Sequence, residues 1–439
     1  MNDIVIHKFG GSCLRDSSDL EIITKIIKSQ PSKIVVVVSA LWGTTDRLLR
    51  AANEPRYATR LVSDLRKQHL RFSPGIDDSV FAEKFNNVLS GIDKSLFYLS
   101  KNPDSYVHVN TLLAAGERLS ALVVANELRK QGLDANAVGS EDVGICLDGV
   151  DTASHVDIEK SIQKLDHSAF RGIPIITGWF GEGIDGNLAL LSRGGSDHTA
   201  AAIARILDAK KLILWKDVDG VLAVNPRWGV NAKPIPYLGY DEARELSRVD
   251  APVIHHTTMI PVKDYGIPIE IRNLHSPFVD NAPTIIGPNI IQSNQLKAIG
   301  CMRSIAKITV EIGDIASQSK MLGQILIQLD QENISCWSVK SSPSKVDFIV
   351  SQQQLTTTEA VIQQIIPISN VEYFSCLISF IGTNNRDIIN DRIEKIKSHN
   401  FELSYLDSTE LSVQYICNTD NIKNLMNTLS TIILEKTRA

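Results

Sequence analysis

His7-Lys8-Phe9-Gly10-Gly11-Ser12-Cys13-Leu14 follows directly on the apolar run Ile4-Val5-Ile6. A strand that breaks into a lysine and then two glycines has the layout of an anion-binding loop. Glycine lets backbone N–H groups approach phosphate oxygens, and the lysine supplies a point charge. Taken alone, the stretch reads equally well as a strand ending in a glycine turn. Two further motifs stand where such a site would need them: Gly116-Glu117-Arg118-Leu119-Ser120 and Arg193-Gly194-Gly195-Ser196-Asp197.

Working outward, the first 290 residues alternate short β-rich runs with amphipathic stretches. Ile4–Ile6, Ile34–Val38, Ile173–Thr177 and Leu212–Trp215 are largely apolar, as strands buried on both faces are. Leu20–Ser29, Leu112–Gln131 and Asp197–Leu207 carry helical patterns, and Glu117 is read as opening its helix after Ala114-Ala115-Gly116. Such alternation predicts a mostly parallel sheet between helices. The more charged segment 50–105, with Arg56, Arg60, Arg66, Lys67 and Arg71, reads as a helical excursion with a solvated face. A boundary is expected near Asn281–Gln295, where Pro283, Gly287 and Pro288 punctuate a stretch of little periodicity. Beyond it a β-α-β-β sense occurs twice: strand-like Lys307–Ile312, helical Leu322–Asn333 and strand-like Val346–Val350, then Phe374–Phe380, helical Asp387–His399 and Leu411–Tyr415. This weak repeat of about 70 residues suggests tandem small modules.

At 439 residues two or three domains are expected. A hydrophobic fraction of 43% and a net charge of -5 describe a mildly acidic globular chain without a basic nucleic-acid surface. The six cysteines (Cys13, Cys146, Cys301, Cys336, Cys376, Cys417) form no CxxC pair, which argues against a zinc or disulfide framework and for a reducing compartment. Met1-Asn2-Asp3 lacks the basic start of a secretory leader, and no apolar run approaches the roughly 20 residues that span a bilayer. A cytoplasmic protein that engages no membrane is expected.

Three more pieces fall in sequence with the first motifs: Val38-Ser39-Ala40, Trp215-Lys216-Asp217-Val218-Asp219-Gly220-Val221 and Asn225-Pro226-Arg227. In order and spacing the set resembles the aspartate kinases of the amino-acid kinase superfamily over nearly the whole chain. The resemblance implies an α/β fold, an α/β/α sandwich with a mostly parallel central sheet, followed by two α+β ACT-type modules. Residues 1–290 would form the catalytic domain, and residues 300–439 tandem, interleaved ACT modules for regulation and dimerisation. It also implies ATP-dependent phosphorylation of the side-chain carboxylate of L-aspartate to 4-phospho-L-aspartate, a first step towards lysine, threonine and methionine, with Mg2+ as companion of the nucleotide. The partners implied are a small-molecule substrate and a second copy of the chain, as a homodimer or higher homo-oligomer.

A carboxylate nucleophile is already ionised at neutral pH, so the site needs no general base. It needs cations and backbone donors that bring two anions together and neutralise the transferring phosphoryl group. Lys8 is the candidate for that group, with Gly10, Gly11 and Ser12 donating hydrogen bonds to phosphate. Ser196 or Asp197 is a preferred N-cap residue, so the glycine turn would deliver a helix N-terminus to the site. By resemblance, Arg193 takes the substrate carboxylate with Ser196 beside it, and Asp197 orders the lysine at the phosphate end. The resemblance also implies that Glu117 binds the amino end of aspartate and that Thr45 contacts the substrate. Lys216, Asp217, Leu222 and Arg227 belong to the nucleotide segment, with Asp217 on the ribose or adenine side and Arg227 on the phosphates.

The chain departs from the family pattern in several places. Ser12-Cys13 stands for Thr-Ser, Leu222 for an aromatic and Asn225 for an aspartate. Asp250-Ala251-Pro252-Val253-Ile254-His255-His256 replaces Gly-Ala-Lys-Val-Leu-His-Pro, so a phosphate-contacting lysine aligns with Pro252, and Lys233 or Lys263 would have to compensate. In the tail, Trp337 replaces an acidic residue that pairs with an effector's ammonium, and Ser342-Pro343 replaces a Ser-Glu pair. Weak or absent inhibition by lysine and threonine is therefore expected. Two other readings stay open: a sister kinase for a related amino-acid carboxylate, and a catalytically weak amino-acid sensor. A Rossmann dehydrogenase is excluded, because the first strand is not followed by Gly-x-Gly-x-x-Gly.

Overall fold

The computed structural model describes residues 2–192, 194–249, 253–277, 284–290, 296–312, 315–332, 334–382, 389, 393 and 401–434. They group into two compact units. The first takes its described residues from Met1–Val221, Pro234–Arg244 and Pro252–Ile290, and the second from Leu222–Lys233, Glu245–Ala251 and Ile291–Ala439.

The first unit is built on an eight-stranded sheet. Its strands are β1 (Asn2–Phe9), β2 (Lys33–Val38), β3 (Ala135–Val138), β4 (Ile173–Thr177), β5 (Ala209–Lys216), β6 (Tyr237–Gly239), β7 (Ile269–Asn273) and β8 (Thr284–Gly287), in the spatial order β3-β4-β2-β1-β5-β7-β8-β6. The six strands from β3 to β7 are mutually parallel, β8 runs antiparallel to β7, and β6 is parallel to β8. Val35 to Val38 and Leu212 to Trp215 are buried on both faces, which is why these strands read as continuous apolar runs. Thr284–Gly287 is a strand inside the low-periodicity stretch Asn281–Gln295; residues 281–283 and 291–295 lie outside the described residues.

Helices α1 (Ser17–Lys28), α2 (Thr44–Asn53), α3 (Tyr106–Lys130) and α4 (Gly195–Ile206) position the groups of interest. Leu61–Phe72 and Ala82–Leu99 confirm the helical excursion. Side chains alternate along β1. Val5 and Phe9 enter one core with residues of α1 and α3, while Ile6 and Lys8 face the opposite layer, where α4 packs on β1, β2 and β5.

One expectation is corrected here. Glu117 does not open a helix: α3 begins at Tyr106, and Glu117 lies in its middle. Gly116 serves close packing instead. A Cβ there would come within 3.0 Å of Ala40 Cβ and 3.2 Å of Leu48 Cδ1.

The second unit holds a six-stranded antiparallel sheet of β9 (Ala298–Glu311), β10 (Ser338–Ser342), β11 (Lys345–Ser351), β12 (Ile368–Ile381), β13 (Leu403–Ser408) and β14 (Ser412–Cys417), ordered β10-β11-β9-β12-β14-β13. The long strands β9 and β12 each serve two cores. Ala306, Ile308 and Val310 join Phe348 and helices α5 (Ile315–Gln331) and α6 (Leu355–Gln363). Ile299, Cys301, Cys376 and Ile378 join Tyr415 and α7 (Ile422–Leu434). Two cores on one sheet are the physical form of the tandem ACT-type modules. The expected helix Asp387–His399 lies outside the described residues apart from Ile389 and Ile393, and Asn333 lies outside them too. Val224 of the second unit pairs with Ile299 as a parallel bridge, which explains why Leu222–Lys233 groups with the tail.

Candidate active site

Lys8 sits opposite Val37 of β2 and Leu214 of β5, and Phe9 opposite Val38 and Trp215, so the carboxyl ends of β1, β2 and β5 finish level. Ligands of open α/β sheets bind at that edge. The chain leaves β1 through Gly10 into a tight turn, Gly11–Cys13, in which the Cys13 N–H donates to the Gly10 carbonyl at 2.9 Å. A Cβ on Gly10 would lie 3.4 Å from Lys8 Nζ, and one on Gly11 3.2 Å from the Ala40 carbonyl oxygen. The glycines thus keep backbone next to the ammonium. Ser12 beside them is half-buried.

Three charges meet in this layer. Asp197, in the first turn of α4, is buried; its Oδ1 lies 2.6 Å from Lys8 Nζ and its Oδ2 2.7 Å from Lys216 Nζ. Burial alone would raise the Asp197 pKa, but Lys216 and then Lys8 outweigh it and hold the carboxyl well below the usual range. Burial also lowers Lys8, with Asp197 opposing and Lys216 adding to the fall. One carboxylate shared by two lysines leaves one net positive charge beside the glycine turn.

The expected N-cap is corrected. Gly194, at φ 79°, caps α4, and no side chain caps the helix. A Cβ on Gly194 would lie 2.3 Å from His255 Cβ, so packing as well as backbone angle demands glycine. Asp197 is free of capping because the two lysines take both its oxygens.

Glu117 carries a second buried carboxyl group of the candidate site. Its Oε1 accepts a hydrogen bond from the Ala40 N–H at 3.2 Å, while Oε2 is buried without a partner among the described residues. Burial, only partly opposed by that backbone bond, raises its pKa to about 8. Arg118 of the same motif instead pairs with Glu141 and lies over the Phe180 ring, 5.3 Å from its centroid.

Ser196 is buried against Gly178, where a Cβ would come 2.6 Å from Ser196 Cβ. Trp179 follows at φ 77°, its N–H donating to Thr199 Oγ1 at 3.1 Å and its indole Nε1 to the Leu191 carbonyl at 2.7 Å. A bulky residue held at positive φ marks a tightly determined corner. Sequence reasoning passed over Gly178-Trp179, whose only signal is a glycine at the end of an apolar strand. Thr45 is half-buried in the first turn of α2, and Thr44 next to it is buried. Asp217, an exposed residue, pairs with Arg15 at 2.8 Å.

Leu222 and Arg227 belong to the second unit, where Arg227 lies over the Trp228 ring at 4.7 Å and donates to the Cys301 carbonyl at 3.2 Å. Arg193 and Asp250-Ala251-Pro252 lie outside the described residues. Of the two lysines considered as substitutes, Lys263 pairs with Asp241 at 2.7 Å and Lys233 is exposed in the second unit. Two buried histidines are structural. His7 accepts from Trp215 Nε1 at 3.1 Å, and burial lowers it to about 3. His198 is bound to the Val156 N–H and the Thr257 carbonyl, and burial lowers it to about 4. Among the described residues no group of three or more His, Cys, Asp or Glu could hold a metal ion, and no helix is long and apolar enough to cross a membrane.

A parallel sheet between helices, with a glycine turn and paired lysines at its carboxyl edge and ACT-type modules after it, defines an α/β protein of the amino-acid kinase architecture. Residues 3–273 match the model of the amino acid kinase family, and the chain belongs to that family. It is similar to the chloroplastic aspartokinase 3 of Arabidopsis thaliana, at 26% identity over 98% of this chain and 81% of the relative. It is also similar to aspartokinase 3 of Bacillus subtilis (strain 168), at 31% identity over 64% of this chain and 63% of the relative. Two solved structures share the fold. They are Escherichia coli aspartokinase III in complex with aspartate and ADP (TM-score 0.82, 20% identity, 98% of this chain and 100% of that one) and Clostridium acetobutylicum aspartate kinase (TM-score 0.76, 22% identity, 98% and 100%).

Proposed function

We propose that this chain is an ATP-dependent aspartate kinase that converts L-aspartate to 4-phospho-L-aspartate. The observation that carries the reading is the Lys8–Asp197–Lys216 cluster beside the Gly10-Gly11 turn. The aspartokinase names of its relatives, and the aspartate and ADP of the E. coli complex, support it.

In this mechanism a side-chain oxygen of aspartate forms a bond to the γ-phosphorus as the bond from that phosphorus to the β,γ-bridging oxygen breaks. ADP leaves, and no proton need move. Lys8 and Lys216 flank the transferring group and offset its charge. Asp197 fixes the two ammonium groups in place and favours the charged form of Lys8 against its burial. Gly10, Gly11 and Ser12 donate hydrogen bonds to phosphate. Glu117 meets the substrate ammonium through Oε2, and Thr45 and Ser196 line the aspartate end with Arg193, assigned from sequence alone. Lys216 and Asp217 open the nucleotide segment that runs through Leu222 to Arg227.

Both Asp197 oxygens are taken by lysines and no carboxylate cluster is present among the described residues, so the site fits a magnesium ion carried by nucleotide phosphates and water. When bound, the ion would neutralise phosphate charge. The first unit is assigned to catalysis and the ACT-type unit to regulation and homo-oligomer formation, in a cytoplasmic enzyme. An ADP-release assay with hydroxylamine trapping over aspartate, glutamate and close analogues tests the reading. An acyl phosphate trapped with aspartate is expected, and ADP release with glutamate alone would overturn it.

A further inference from the structure

Arg15 lies just past the glycine turn and ties together three loops that leave three strands of the sheet. The Trp42 N–H donates to the Leu14 carbonyl at 3.0 Å, which joins the loop after β1 to the loop after β2. The Arg15 guanidinium then lies over the Trp42 ring, 4.5 Å from its centroid, and reaches Asp217 Oδ2 at 2.8 Å beyond the end of β5. The backbone of Arg15 is fixed by Asp19, whose Oδ2 accepts from its N–H at 2.8 Å. Nothing in the chemistry set out above uses this bridge.

The bridge is costly as a structural device. The Arg15 side chain is 46% exposed and that of Asp217 35%, and an ion pair so open to water adds little stability. Trp42 is 56% exposed, a large apolar surface left at the rim of a polar site. Asp217 directly follows Lys216, so Arg15 continues the charge row Lys8, Asp197, Lys216, Asp217. That row holds three cations against two carboxylates, and Arg15 is the most exposed of the three cations. A guanidinium is a planar fork that binds phosphate oxygens bidentately and keeps an aromatic face while doing so.

We infer that Arg15 is a nucleotide-binding residue: its guanidinium exchanges Asp217 for the phosphate chain of a nucleoside triphosphate while Trp42 holds its plane. The inference rests on the kinase reading above and adds a third cation to the phosphate site. Asp217 holds the side chain across the loops until phosphate takes its place. On binding, phosphate is the stronger partner, because it carries more charge and presents oxygens in the geometry of the fork.

The test is steady-state kinetics of the full chain and its Arg15→Gln and Arg15→Lys variants, with ATP and aspartate varied separately at low and high salt. Arg15→Gln is expected to raise KM for ATP about tenfold or more, the effect of losing a hydrogen bond to a charged group, and to leave KM for aspartate within about twofold. Its KM for ATP should also depend less on salt. Arg15→Lys should fall between the two, since it keeps the charge without the fork. ATP titration should change tryptophan emission in the parent protein, and Trp42→Phe should remove most of that change. An active parent enzyme with an unaltered KM for ATP in Arg15→Gln overturns the inference and spares the kinase reading, whereas a parent enzyme inactive on aspartate removes the kinase reading itself. A uniform rise of both KM values with a lowered melting temperature would make Arg15 a structural strap and also overturn it.

Discussion

Replacing Glu117 by glutamine should make the protein more stable and a poorer aspartate binder. In the unfolded chain this carboxyl group loses its proton near 4.5, whereas in the fold burial delays the loss to about 8. Between those values the folded state binds the extra proton. Stability contributed by Glu117 is therefore complete below about pH 4.5, declines as pH rises, and is gone above about pH 8. At about 1.36 kcal/mol per pH unit, the decline amounts to about 3 kcal/mol at pH 7 and about 5 kcal/mol above pH 8. Glutamine retains an oxygen for the Ala40 N–H and has no proton to lose, so it escapes the decline.

Melting curves of the two proteins from pH 5 to pH 8 check this. Their midpoints should nearly coincide at the acid end and differ by about 6 °C or more at pH 7, at about 2 °C per kcal/mol for a unit of this size. The same group governs substrate binding. At pH 7 a carboxyl with a pKa of about 8 is about nine-tenths protonated. Pairing Oε2 with the aspartate ammonium should release most of that proton, which calorimetry in buffers of different ionisation enthalpy reads directly. Parallel melting profiles across the whole pH range, or aspartate binding without proton release, would refute the reasoning.

Other expected outcomes follow from the same groups. Lys8→Met should lower kcat by about 100- to 1,000-fold with KM for aspartate little changed, as measured by coupled ADP release; retention of most of kcat would remove Lys8 from the phosphoryl site. Asp197→Asn leaves the buried Lys8 ammonium and the half-buried Lys216 ammonium without their counter-charge and should cost about 3–5 kcal/mol in thermal unfolding, so an unchanged melting temperature would contradict the ion-pair geometry. Lysine and threonine at millimolar concentration should leave activity nearly intact, because the family resemblance aligns Trp337 with the acid that a cationic effector needs; strong inhibition by either would show that another group supplies the charge.

The sheet was legible because its central strands are apolar on both faces, and a run such as Ile34–Val38 has few other readings. Lys8 and its glycines were legible because a strand end and a turn are local features. The start of α3 was not. Val107, Val109 and Thr111 are β-branched and argue against helix, and what holds that turn is long-range, including Asn110 Nδ2 donating to the carbonyls of Asp151 and Leu188. Asp197 was open to two readings, helix cap or lysine partner, and only the approach of β1 and β5 from distant sequence decides for the lysines. The Arg15–Trp42–Asp217 bridge spans 202 residues between its ion-pair partners and leaves no pattern in one dimension.

Asp197 and Glu117 are two carboxyl groups in one unit, nearly equally buried, with opposite charge states. Burial cannot be the cause of the difference, so their neighbours must be. Two ammonium groups ionise Asp197 and occupy both of its oxygens, which leaves it unable to receive a substrate cation. The Ala40 N–H, with smaller help from its own backbone and from the charge of Lys8, is too little to ionise Glu117, and its second oxygen remains open to an ammonium that would complete the charge. Conversion of each carboxyl to its amide is the same chemical change at the same depth, yet the stability response should have opposite signs: loss at Asp197, gain at Glu117. Movement of both variants in one direction at pH 7 would mean that depth, and not the company each group keeps, sets its charge.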